Sequence, residues 1–269
     1  MTKKKEPEKE EKISDVIKTE DGKHVDDIYA EIEPIKEEEI EPIKEEALVE
    51  EKTVPKEDIS GWVPKTKIGK EVKKGEIKNI DEIFDKNIHL LESDVVDILL
   101  PNLEIEFINI GQAKGKFGGG KRRPWRQTQK KTAEGNVPTF SCMVVVGDKS
   151  GHVGLGFGKA KETVPAKQKA IRNAKINIMR VKRGCGSFDC TCNELHSIPF
   201  KTSGKVGSVK IELIPAPKGT GLVIDGECRK ILKLAGIKDI YSRSYGQTRT
   251  KLNFAKACVE ALKKLNKFI

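Results

Sequence analysis

Charge is divided unevenly along this chain, and the division decides which part of it can fold. The first 60 residues carry 11 Lys and Arg against 21 Asp and Glu, whereas residues 61–269 carry 40 against 20, so a stretch of net −10 precedes a body of net +20. The acidic stretch repeats itself, Glu33-Pro34-Ile35-Lys36-Glu37-Glu38 returning as Glu41-Pro42-Ile43-Lys44-Glu45-Glu46. It offers too little apolar surface to offset its chain entropy, and residues 1–60 read as a disordered acidic tail whose repeat is compositional drift, the alternative being a dedicated binding motif. The body attracts polyanions, and the polyanion a cytoplasm supplies most freely is nucleic acid. No run approaches eighteen apolar residues and the start, Met1-Thr2-Lys3-Lys4-Lys5-Glu6-Pro7, lacks the apolar core of a secretion signal, so a soluble, cytoplasmic protein with no membrane partner is expected. Six cysteines in a chain long enough to bury a core do not require a disulfide framework.

Hydrophobic periodicity divides the body. Residues 61–101 read as a helical N-terminal extension: Trp62-Val63-Pro64 anchors its start, Asn79 caps one short helix, and Ser93 caps another that Pro101 stops. Residues 103–110 alternate as a half-buried strand, and a long basic loop is expected from 111 to about 138. Residues 139–146 and 152–159 flank the turn Gly147-Asp148-Lys149-Ser150-Gly151 as a hairpin, and 164–181 place Ala170, Ala174, Ile178 and Val181 on one side of an amphipathic helix. Three antiparallel strands and a helix give a two-layer α+β domain over residues 102–182. A cysteine-rich connector, 183–196, leads to a second α+β domain, 197–269. There a strand over 206–214, a glycine-rich turn at 217–221, a helix over 227–234, a strand over 237–242 and a helix over 251–267 are expected.

The most telling stretch is 111–131. It holds Lys114, Lys116, Lys121, Arg122, Arg123, Arg126, Lys130 and Lys131 with no acid, five glycines, and Phe117 and Trp125 interleaved. Glycines let backbone approach phosphates, Arg forks bind them in pairs, and aromatic rings offer stacking faces to unpaired bases. Like charges at this density repel one another without a polyanion; the plainer alternative is a solvated loop. His152, Lys159, Lys161, Lys182 and Arg183 extend the candidate RNA-binding surface beyond it. The glycine series Gly154-Leu155-Gly156-Phe157-Gly158-Lys159 lacks the gap and the Lys-Ser/Thr of a phosphate-binding loop; its glycines serve close approach of a strand to a helix or to RNA backbone.

Cys185, Cys190, Cys192 and His196, spaced C-x4-C-x-C-x3-H, can close a tetrahedral structural zinc site; idle or buried thiols are the alternative. Cys142, Cys228 and Cys258 fall on expected strand or helix and read as small core residues. Four histidines, without a carboxylate pair or a Gly-x-Ser-x-Gly elbow, give catalysis little support, and no catalytic residue is assigned.

Residues 140–162, Phe140-Ser141-Cys142-Met143-Val144-Val145-Val146-Gly147-Asp148 running into Gly151-His152-Val153-Gly154-Leu155-Gly156-Phe157-Gly158-Lys159, resemble the universal small-subunit ribosomal protein number five family in its archaeal form. The resemblance continues through Arg183-Gly184-Cys185-Gly186-Ser187, His196-Ser197-Ile198-Pro199-Phe200, Ile214-Pro215-Ala216-Pro217-Lys218-Gly219-Thr220-Gly221 and Ser244-Tyr245-Gly246-Gln247-Thr248, and covers residues 61–269. It implies a βββα domain like a double-stranded-RNA-binding domain, then a ββαβα domain with a left-handed crossover. It also implies binding of small-subunit rRNA, contact with neighbouring proteins numbers four and eight, a place near the mRNA entrance, and roles in subunit assembly and translational accuracy. The competing classes are an RNA-modifying enzyme and a free double-stranded-RNA-binding regulator.

Overall fold

A computed structural model describes residues 62–112, 122–192 and 194–266. The expected acidic tail, residues 1–60, and the loop lysines Lys114, Lys116 and Lys121 lie outside the described residues.

Three short helices open the described chain: α1 (Lys67–Lys74), α2 (Ile80–Asp85) and α3 (Ser93–Leu99). The first is not expected from the sequence. The Thr66 hydroxyl caps it by accepting from the Gly69 amide, and Gly75, at φ +80°, ends it. Asn79 stands at the cap of α2 without a side-chain hydrogen bond, and Ser93 is the first residue of α3, with Glu92 at the cap. Glu92 instead reaches the start of α1, where its Oε1 accepts from the amides of Lys65 and Thr66. Val72, Ile77, Ile80, Ile83, Leu90, Val95 and Val96 bury one another and Ile178, giving the extension a core of its own that leans on the next domain.

The first sheet contains β1 (Glu104–Ile108), β2 (Trp125–Thr132), β3 (Gly135–Gly147), β4 (His152–Ala160) and β5 (Ile178–Arg180). The long β3 takes two partners along one edge, β2 opposite its first part through Cys142 and β1 opposite Met143 to Gly147, while β4 pairs along the other edge from Phe140 onward. Residues 125–138, expected as loop, are therefore largely strand. Beyond Phe140 only β2 and β3 remain, so their far ends stand clear of the sheet as a two-stranded ribbon.

Helix α4 (Thr163–Ile176) covers one face of this sheet. A Cβ on Gly154, Gly156 or Gly158 of β4 would sit 2.2, 2.0 or 2.2 Å from the carbonyl oxygens of Ala174, Ala170 and Ala166. The glycine series is thus a groove into which a row of alanines packs. The helix ends at Asn177 rather than continuing to Val181, and Ile178 pairs with Gly154 as part of β5. Ile178 and Val181 are buried all the same, one against the extension and the other in the main core, so the spacing that suggested a longer helix is satisfied by a strand.

The second sheet is ordered β6 (Thr202–Val206), β7 (Val209–Pro215), β9 (Ile240–Gly246), β8 (Leu222–Val223). The expected strand over 206–214 resolves into the β6–β7 hairpin, and the expected strand over 237–242 begins three residues later. β8 runs parallel to β9, with α5 (Gly226–Leu234) as the crossover between them. Helix α6 (Lys251–Leu265) lies on β6 and β7, where Gly204 admits the backbone of Ala257 as the β4 glycines admit α4. Helix α5 packs against α6 and also against the free face of the first sheet, so Ile108, Met143, Val145 and Val153 share one core with Ile211, Leu213, Ile231, Leu232 and Leu262. Cys142, Cys228 and Cys258 are buried, as their positions suggested.

Candidate nucleic-acid interface and metal centre

The β2–β3 ribbon carries an exposed basic surface with no acid along β2. Along β2 only Trp125 is partly covered, and Arg126, Lys130 and Lys131 are exposed together with Gln127, Thr128 and Gln129. Thr128 and Thr139, opposite each other, hydrogen bond across the ribbon at 2.9 Å between hydroxyls and keep it in register. Trp125 lies under the Lys167 ammonium, 5.3 Å from the ring centre, which ties the ribbon's base to α4. Arg123 is exposed, while Arg122 donates to the Arg249 carbonyl at 3.3 Å and so joins the basic loop to the segment after β9. Lys159 and Lys161 are exposed at the end of β4, on the side where the ribbon leaves the sheet.

His152, Lys182 and Arg183 stand differently. The His152 ring is 11% exposed and faces two carboxylates, Nδ1 2.6 Å from Asp148 and Nε2 3.3 Å from Asp81, with Phe84 stacked beside it. Burial alone would lower its pKa, but the hydrogen bonds and charges of Asp148 and then Asp81 outweigh burial and hold it above the ordinary histidine value. Burial likewise opposes ionisation of Asp148, and hydrogen bonds from the His152 ring and the His152 and Ser150 amides hold its pKa low. With both ring nitrogens taken by protein carboxylates, His152 is a clamp between the extension and the first sheet, supported by Arg180, which reaches Asp81 and Asp85. Arg183 donates to the carbonyls of Ser150 (2.6 Å), Lys149 and Gly236, stapling the β3–β4 turn to the loop after α5. Lys182, beside it, is partly covered.

The connector folds as a knuckle. Gly184 and Ser197 exchange both backbone hydrogen bonds at 2.9 Å, closing the loop at its base. Inside it the sulfurs of Cys185, Cys190 and Cys192 and a His196 ring nitrogen lie within 4.8 Å of one another. Sulfurs around a metal held by 2.3 Å thiolate bonds are about 3.8 Å apart in a tetrahedron. Cys185 and Cys192 stand at 3.8 Å, Cys190 and His196 Nε2 at 3.7 Å, and Cys190 and Cys192 at 2.9 Å, so the last of these pairs must open for a metal to enter. His196 is 2% exposed and its Nδ1 donates to Asp239 at 2.9 Å, which leaves Nε2 as the ligand nitrogen. Asp239 is held in turn by the amides of Gly219 (3.1 Å) and Gly221 (2.8 Å). The crowded thiols titrate apart: the Cys192 contact and the Lys218 and Cys192 amides pull Cys190 down to about 6, whereas burial and its two sulfur neighbours push Cys185 up to about 11. Three sulfurs, among them the Cys190 thiol with its lowered pKa, beside an oriented imidazole form a group that a soft divalent cation would complete. Spacing singled out the four residues that the fold brings together; Asp239, 43 residues from His196, gave no sequence signal.

Comparison with known proteins fits this geometry. Residues 125–182 match the family described as "Ribosomal protein S5, N-terminal domain", and residues 204–269 match "Ribosomal protein S5, C-terminal domain". A protein of Nanoarchaeum equitans named small ribosomal subunit protein uS5 is 51% identical over 209 residues, covering 78% of this chain and 90% of its own. Proteins of the same name from Staphylothermus marinus and Thermofilum pendens are 47% and 48% identical, over 80% and 77% of this chain and 94% and 95% of theirs. No described helix is long and apolar enough to cross a membrane.

Proposed function

The chain belongs to the ribosomal protein S5 family, and from that premise we propose how it serves as a structural constituent of the small ribosomal subunit. It binds small-subunit rRNA through phosphate contacts made by Arg126, Lys130 and Lys131 on the ribbon, by the basic loop with Lys114, Lys116, Lys121, Arg122 and Arg123, and by Lys159 and Lys161. The exposed ribbon is the observation that carries this reading, because a two-stranded element with solvent on both faces and no acid along β2 leaves its cations open to a polyanion. Recognition is by shape and backbone charge more than by base reading.

The knuckle holds one structural Zn2+ on Cys185, Cys190, Cys192 and His196. The ion, when bound, supplies fixed geometry rather than reactivity, since four protein ligands leave no open position. Asp239 orients His196 and, through the Gly219 and Gly221 amides, joins the knuckle to the turn before β8. The family resemblance supports small-subunit proteins numbers four and eight and mRNA near its entrance as neighbours, with roles in assembly and accuracy.

The reading is tested by sedimentation of purified small subunits. One copy of the full chain should travel with each subunit in salt that strips weakly bound proteins, and Arg126→Glu with Lys130→Glu and Lys131→Glu should reduce that occupancy severalfold. Substoichiometric recovery with turnover of RNA would instead favour an enzyme.

A further inference from the structure

The two sheets are finished differently. The first is covered by α4 on one face and α5 on the other, whereas among the described residues both helices of the second domain lie on one face of its sheet. The other face is set by the strand register: Lys210 lies opposite Tyr245, Glu212 opposite Arg243, and Ile214 opposite Tyr241, with Val223 of β8 beside Tyr241 and Lys205 of β6 beside Lys210. On it Tyr241 is 41% exposed, Tyr245 47% and Val223 49%.

We propose that this open face binds a single-stranded segment of small-subunit rRNA, with Tyr241 and Tyr245 as stacking platforms and Lys201, Lys205, Lys210 and Arg243 as phosphate partners. The proposal rests on the rRNA-binding reading above and adds a second, chemically different contact to it.

Three observations carry it. The tyrosines are four residues apart on one strand and project to the same side about 13 Å from each other, so one flexible strand can lay bases on both rings. Lys210 sits 5.5 Å from the centre of the Tyr245 ring, which combines a cation with a π face. The charge around the rings is four cations against one acid, Glu212, and that acid is enclosed between Lys201 (3.0 Å) and Lys210 (2.7 Å), so little of its charge faces outward. The occupant is rRNA because the Tyr245 end of the face adjoins a cation of the rRNA-binding surface: Arg122 donates to the carbonyl of Arg249, three residues beyond the end of β9. An RNA held by the loop and the ribbon is thereby led onto the Tyr245 end of the face. A base-paired duplex does not fit this chemistry, since its bases are stacked on one another and present no free π faces.

The test uses the full chain and an unstructured RNA of about a dozen nucleotides, long enough to span both rings. Tyr241→Ala with Tyr245→Ala should weaken binding at least tenfold, whereas Tyr241→Phe with Tyr245→Phe, which keeps both rings, should stay within about twofold of the parent. A thermal melt of the alanine variant shows whether the sheet survives; should it not, Arg243→Glu with Lys205→Glu carries the same expectation. Binding of rRNA by the full chain with no change in either pair of variants overturns this inference alone, while failure of the unaltered chain to bind small-subunit rRNA overturns the reading beneath it. In assembled subunits, a benzophenone amino acid at position 245 should crosslink to rRNA. A crosslink to mRNA or to a neighbouring protein, or no crosslink, would overturn the assignment.

Discussion

The two sheets of this protein are built by the same device and end in opposite states. In each, glycine on a strand lets an alanine-bearing helix settle onto the backbone: Gly154, Gly156 and Gly158 under α4, and Gly204 under α6. The first sheet then receives α5 on its remaining face and becomes the middle layer of the molecule. The second keeps one face open, furnished with tyrosines and cations. A sheet covered twice has no face left for a ligand, so its RNA contacts must come from strands that outgrow it, and β2 with the first part of β3 does so. A sheet covered once can bind with its face.

The largest expected effect tests the closeness of the covered layers. Gly156→Ala places a methyl group 2.0 Å from a helix carbonyl, and neither backbone has room to yield. It should cost roughly 3 kcal/mol of stability or prevent folding, whereas Tyr241→Phe on the open face should leave the thermal midpoint nearly unmoved. Equal melts for the two variants would dissolve the contrast between the sheets.

Next in size is the knuckle. Zinc should be present at about one equivalent in protein purified under reducing conditions, and Cys190→Ser should lose it. Asp239→Asn should weaken metal affinity by about ten- to a hundredfold while leaving all four ligands in place. Elemental analysis and chelator competition check both; protein free of zinc would overturn the metal reading and leave the knuckle to its Gly184–Ser197 bridge and the His196–Asp239 contact.

A smaller effect concerns the extension, which is held to the first sheet partly by the His152 clamp. The raised His152 pKa contributes stability that is fully present below the ordinary histidine pKa and is lost as pH rises through the raised value. The lowered Asp148 pKa contributes stability that is present above the ordinary carboxylate pKa and is lost as pH falls through the lowered one. Protection of the α2 amides, measured against their intrinsic exchange rates, should therefore be greatest in mildly acidic solution and fall toward alkaline pH. His152→Gln should remove the alkaline trend at a cost of about 1 to 2 kcal/mol. An α2 protection profile that still falls toward alkaline pH in that variant would place the clamp elsewhere.

What the sequence disclosed follows from which residues are buried. The β3–β4 hairpin was legible because the apolar run Met143-Val144-Val145-Val146 meets a turn bounded by Gly147 and Gly151, and the knuckle because three cysteines and a histidine cluster within twelve residues. The ribbon strand β2 was not legible: Trp125-Arg126-Gln127-Thr128-Gln129-Lys130-Lys131-Thr132 has solvent on both faces, and without a buried side there is no periodicity to read. β5 was hidden by coincidence, since Ala170, Ala174 and Ile178 keep helical spacing although Ile178 is buried by a strand. His152 and Arg183 read as RNA contacts by residue type, but the partners that engage them, Asp81 and the carbonyls of Ser150 and Gly236, become neighbours only in the fold. Asp239 and the open tyrosine face were invisible for the same reason: each exists only once strands distant in sequence are paired.

The charge of the ribbon is expected to supply a large share of the RNA affinity. The direct measurement is the salt dependence of binding between the full chain and small-subunit rRNA. If about six phosphates are contacted, log K should fall with log salt at a slope near −5, and Arg126→Glu with Lys130→Glu and Lys131→Glu should flatten it by about 2 to 3. A slope unchanged by that triple substitution would mean that the ribbon carries none of the affinity, and would contradict the account.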